Sequence, residues 1–78
     1  MKELRNHLDE VHTTELGIDR VKKNLDLDVD DVVEWCKNRI MSPEAVITRR
    51  GKNWYIDVDE CILTVNAYSY TIITAHKR

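Results

Sequence analysis

Trp54-Tyr55-Ile56-Asp57-Val58-Asp59-Glu60-Cys61-Ile62-Leu63-Thr64-Val65-Asn66 is the stretch on which the fold turns. Trp54, Ile56 and Val58 alternate with Tyr55 and Asp57, and Cys61, Leu63 and Val65 share one face of the run that follows. Period-two alternation marks a half-buried strand. Asp59-Glu60 leaves room only for a tight reversal, so the two strands must be antiparallel neighbours. Working outward, Gly51-Lys52-Asn53 has turn composition and joins this pair to a strand over 45–50. Ala67-Tyr68-Ser69 turns the chain again, into a strand over 70–76 rich in β-branched residues. Turns this short predict a four-stranded antiparallel meander.

Ahead of Ser42-Pro43 the period becomes helical. Leu4, Leu8 and Val11 fall on one face of a short first helix, which His12-Thr13-Thr14 interrupts. Thr13 or Thr14 can cap a second helix, whose face is Ile18, Val21 and Leu25. Gly17 inside it costs about 1 kcal/mol relative to Ala, and marks either close packing or a late helix start. Asp28 or Asp30 is expected to cap a third helix carrying Val29, Val32, Val33, Cys36 and Ile40. The predicted fold class is therefore α+β, with three N-terminal helices packed on one face of the sheet. The whole of 1–78 is read as a single domain, helical over 1–43 and sheet over 44–78.

Composition narrows the function classes. The 78 residues carry 12 Lys+Arg and 14 Asp+Glu, a net charge of −2, unlike a uniformly basic nucleic-acid binder. No apolar run approaches the roughly 18–20 residues of a membrane span. The opening Met1-Lys2-Glu3-Leu4-Arg5-Asn6-His7 leads into a charged amphipathic stretch, unlike a leader, so a cytoplasmic location is expected. Cys36 and Cys61 read as two buried thiols, a disulfide or zinc site being the lesser alternatives. Asp26, Asp28, Asp30 and Asp31 lack the Gly and Glu spacing of a calcium loop. No metal and no cofactor is expected. A core this small favours an additional staple, and a homodimer would supply one.

The charge is unevenly divided. Residues 1–44 hold seven basic and eleven acidic side chains, and residues 45–78 hold five basic and three acidic. Arg49, Arg50 and Lys52 flank Gly51 in a hairpin suited to phosphate, because guanidinium groups bind it bidentately and Gly lets the backbone approach. A charged, solvated turn is the plainer reading of the same residues. Lys77 adds charge at the end of the last strand. Tyr70, Thr74 and His76 share strand parity with Ile72, and are expected on the open sheet face near the hairpin. There His76 would be acid or base, with Tyr70 and Thr74 positioning a substrate for metal-independent RNA cleavage. An exposed histidine on a surface strand is the alternative. Trp35 lies off the Val29/Val32/Cys36 stripe, either at the edge of the core or anchoring a partner.

His12-Thr13-Thr14-Glu15-Leu16-Gly17, Val21-Lys22-Lys23-Asn24-Leu25, Asp31-Val32-Val33-Glu34-Trp35-Cys36, Gly51-Lys52-Asn53-Trp54-Tyr55 and the run from Asn66 to Lys77 together resemble a family of short bacterial and phage-type proteins known as a domain of unknown function. That resemblance implies a family and no activity. The order of helices followed by four strands is also similar to the fold of barnase, the colicin nucleases and RelE-type toxins, which implies an RNA-binding sheet face. Two functions follow. One is RNA binding, extending to toxin-type cleavage. The other is a non-catalytic interaction module, such as a homodimeric phage-encoded inhibitor of a host enzyme, with Trp35 as its anchor. The expected partners are accordingly RNA or a host protein.

Overall fold

The computed structural model describes residues 4–78, so Met1, Lys2 and Glu3 of the domain and leader readings lie outside the described residues. A 3-10 helix, Leu4–Glu10, comes first and is kinked at His7 (φ −126°, ψ 27°). It is followed by α1 (Glu15–Leu25) and α2 (Val32–Ile40). The strands are β1 (Val46–Arg50), β2 (Asn53–Val58), β3 (Cys61–Asn66) and β4 (Ile72–Lys77). They form one antiparallel sheet in the order β1-β2-β3-β4, so the predicted meander is present and the class is α+β.

Local chemistry explains the boundaries. Thr14 caps α1, its hydroxyl accepting from the Gly17 amide at 3.1 Å. Asp26 ends it in the left-handed region (φ 55°). The cap of α2 is Asp31, whose Oδ1 accepts from the Glu34 amide at 3.0 Å, rather than Asp28 or Asp30. Val29 therefore stands before the helix, though it still packs on the core. Asp59 and Glu60 both take positive φ (51° and 63°), the pattern of a two-residue hairpin turn whose twist matches its strands.

Register sorts the sheet's faces. Ile47 opposes Ile56, Trp54 opposes Val65, Ile56 opposes Leu63 and Val58 opposes Cys61. These residues join Leu4, Val21, Leu25, Val32, Cys36 and Ile40 in one apolar cluster. α1 runs along β4, while α2 touches α1 and β2. The segment between the 3-10 helix and α1 is clasped to the start of β4. His12 and Thr71 form a parallel bridge, the Ile72 amide donates to the His12 carbonyl at 2.7 Å, and Thr13 Oγ1 donates to the Ile72 carbonyl at 2.9 Å.

One expected face assignment is corrected. The β3–β4 register slips between Thr64 and Val65, because Val65 opposes Ile72 while Thr64 opposes Thr74. The extra residue, Ile73, inverts the alternation. Ile72 and Ala75 are therefore the buried members of β4, whereas simple alternation predicts Ile72 outside. No helix among the described residues is long and apolar enough to cross a membrane. Nor does any group of three or more His, Cys, Asp or Glu among them stand ready to hold a metal.

Candidate functional site

Arg49 and Arg50 are consecutive strand residues, so they leave the sheet on opposite sides. Arg49 opposes Trp54 and lies on the core side, while Arg50 opposes Asn53. The Arg49 guanidinium sits 5.5 Å from the Trp54 ring centre and 5.6 Å from that of Tyr68. Its Nε donates to the Gly51 carbonyl at 2.9 Å. On the other side Arg50 reaches 6.0 Å from the Tyr55 ring. Gly51 takes φ 60°, a left-handed backbone that glycine adopts without strain. Lys52 is exposed, and its carbonyl accepts the Ala67 amide at 2.8 Å, tying the β1–β2 turn to the β3–β4 turn.

A cavity of about 310 Å³ opens beside Arg49. Trp54 and Ala67, both buried, form its floor. His7 and Tyr70 form a wall, with ring centres 5.0 Å apart and planes at 26°, and Tyr70 tilts 30° against Trp54 at 5.6 Å. Tyr70 reaches this place through a positive φ of 59° just ahead of β4. Tyr68 stands at the mouth, 73 % exposed. The turn beneath it is ordered by Asn66, whose Oδ1 accepts the Tyr68 and Ser69 amides at 2.8 and 2.9 Å. Glu10 closes the rim, its Oε2 2.6 Å from His7 Nδ1.

The residues singled out from the sequence do not all meet. Tyr70 belongs to the aromatic cavity, separated by the bulge from Thr74 and His76, and so does not share their face as expected. Thr74 is half-buried and within 3.4 Å of Asn24 on α1. His76 opposes Ile62, in the row that continues through Asp57 to Val46. Arg50 is four residues along β1 from that row and three strands across from β4. At ordinary strand spacings this puts roughly 20 Å between His76 and Arg50. Lys77 stands at the same far end, opposite Cys61. It lines a larger cavity of about 660 Å³ together with Trp35, Leu25, Leu27, Glu60 and Arg78. Trp35 is half-buried there, with the Arg39 guanidinium 5.3 Å from its ring.

His7, Glu10 and Trp54 went unnoticed in the sequence as members of a site. His7 and Glu10 are three apart on a helix, a spacing that brings side chains together, but nothing local points toward the hairpin. Cys36 and Cys61 are free and buried, as expected. Burial, with Cys61 nearby, pushes the Cys36 thiol up to about 12. Burial and then Asp59 raise Cys61.

Comparison with known proteins gives a family and no neighbouring structure. No curated protein and no solved structure matches, so the looser likeness to barnase, the colicin nucleases and RelE-type toxins gains no support. The model of the family described as Protein of unknown function (DUF3781) matches residues 5–76, a span that takes in the aromatic cavity, the hairpin and nearly all of β4. The chain therefore belongs to the DUF3781 family.

Proposed function

We propose that this chain is a cytoplasmic RNA-binding domain that grips one strand at the β1–β2 hairpin. The observation that carries the reading is the pairing of guanidinium and aromatic groups there: Arg49 over Trp54 and Tyr68, and Arg50 over Tyr55. Arginines held over rings present donors to phosphate, and an exposed Tyr offers a stacking face to a base. The reading takes the three helices to cover the Trp54 side of the sheet, leaving Thr48, Arg50 and Tyr55 for the strand to run over. Lys77 would meet a phosphate only on a strand long enough to cross the sheet. Cleavage would need a proton acceptor beside the phosphate that Arg49 or Arg50 holds. His76 is too far away for that role, so the proposal is confined to binding.

Fluorescence anisotropy with a labelled single-stranded RNA tests this. Three phosphate contacts, from Arg49, Arg50 and Lys52, predict a log–log salt slope of about −2. Arg50→Ala should reduce that slope by roughly one contact's share. Absence of binding at low salt, or affinity unchanged by Arg49→Ala with Arg50→Ala, overturns the reading.

A protein partner, or a second copy of this chain, is the other reading. It is favoured by the 660 Å³ cavity, where Trp35, Leu25 and Leu27 offer apolar surface beside charged Glu60, Lys77 and Arg78. Light scattering on the wild type and Trp35→Ala decides the homodimer. A monomer at high concentration excludes it.

A further inference from the structure

We infer that the cavity between the 3-10 helix and the β1–β2 hairpin receives one unpaired nucleobase, with its phosphate held outside on the hairpin. This rests on the RNA-binding reading above and makes the site selective for unstacked bases.

Shape is the first argument. His7, Tyr70 and Trp54 form a run of rings at 5.0 and 5.6 Å, with Tyr68 exposed at the entrance of a cavity of about 310 Å³. Planar walls of this kind suit a flat heterocycle, and a base inside a duplex cannot enter them. The Asn66 turn under Tyr68 and the left-handed backbone at Tyr70 fix the backbone from which these rings project before any ligand arrives. Pre-ordering of this kind lowers the entropic cost of binding.

Charge is the second argument, and it selects among flat or aromatic-loving ligands. Aromatic walls with a carboxylate on the rim also suit a quaternary ammonium group. Here, however, Arg49 already lies over Trp54 and Tyr68, so a second cation would be repelled. Glu10 on the same rim repels a phosphate from the interior. The occupant is then an uncharged ring, and its phosphate turns outward to Lys52 and the Arg49 Nη groups. The strand continues from there over the hairpin.

The shared chemistry is a nucleobase carrying a phosphate. Single-stranded RNA, single-stranded DNA and a free mononucleotide are its sources, and each forms an arm of the test, with duplex RNA as the contrast. Trp54 forms the cavity floor, so its fluorescence reports occupancy. Trp35→Phe removes the other tryptophan and leaves Trp54 as the sole reporter. Single strands should quench Trp54 and bind more tightly than duplex. Tyr68→Ala should weaken single-strand binding by roughly five- to 150-fold, the worth of one stacked base, with the salt slope unchanged. Tyr68 is exposed, so its removal leaves the core intact. If the mononucleotide alone quenches Trp54 as strongly as the strands do, a free nucleotide is the source. Equal binding of duplex and single strand, with Trp54 silent and Tyr68→Ala without effect, overturns the base pocket and leaves phosphate binding standing. No binding in any arm overturns both.

Discussion

Gly17 gives the sharpest test of how the helices meet the sheet. Gly to Ala inside a solvated helix normally stabilises by about 1 kcal/mol, because Gly carries the larger backbone entropy. At Gly17 the opposite is expected. A Cβ there would overlap Thr13 Oγ1, with Thr13 Cβ at 3.3 Å and the Ile72 carbonyl at 3.4 Å. Thr13 cannot simply rotate away, because its hydroxyl donates to that carbonyl at 2.9 Å and so ties the N-terminal segment to β4. Gly17→Ala therefore costs about 1–3 kcal/mol of overpacking and about 1 kcal/mol of lost hydrogen bond, against the propensity gain of about 1 kcal/mol. The net expectation is a loss of about 1–3 kcal/mol, or a Tm lowered by at least about 4 °C in a domain of this size. Urea unfolding monitored by circular dichroism reads it. Thr13→Ala alone should cost about 1 kcal/mol. The double variant should be no worse than Thr13→Ala, because the overlapping hydroxyl is gone, which makes the pair strongly non-additive. A Gly17→Ala protein more stable than wild type would refute the reasoning.

Three further outcomes are expected. The Cys36 thiol, pushed up to about 12 by burial, holds its proton in the folded state while an unfolded thiol would lose it near 9. Stability is thus fully present below pH 9 and falls as pH rises from there toward 12, by up to about 1.4 kcal/mol per unit, a slope that Cys36→Ala should flatten in urea melts. Asp31→Ala should lower stability by about 0.5–2 kcal/mol through loss of the α2 cap, whereas Asp28→Ala and Asp30→Ala should stay within about 0.5 kcal/mol. Chemical denaturation of the three variants checks which carboxylate is the cap. Glu60→Gly should raise stability by about 0.5–1 kcal/mol, since Glu60 holds φ 63° in the β2–β3 turn and Gly removes that strain; a lower Tm would count against the turn geometry.

The meander was legible because its turns are too short for any other connection, and the β3 boundaries, Cys61–Asn66, came straight from alternation. What escaped the sequence was non-local. A bulge at Ile73 costs one residue of register, and period-two counting cannot see it, so Ile72 was expected on the wrong face. Tyr70 moved for a related reason: its left-handed backbone takes it out of the strand before pairing begins. The candidate site shows the same limit. Arg49, Arg50 and Lys52 were visible as a charged turn. His7 and Glu10, which share the cavity with Arg49, come from about forty residues earlier in the chain, and only packing brings them to the rim.

The clasp between His12–Thr13 and Thr71–Ile72 also sets an order of folding. The three hairpins of the sheet are short loops that can close early, each next to the last. The clasp joins residues 59 apart, and closing an unstructured loop of that length carries an entropic cost of roughly 3–4 kcal/mol. Prior hairpin formation shortens that loop, so the clasp is favoured only after the sheet is largely built. On a ribosome the same logic makes β4 the gate. Until it emerges, α1 lacks the strand it runs along, and the aromatic cavity cannot exist before Tyr70 completes its wall.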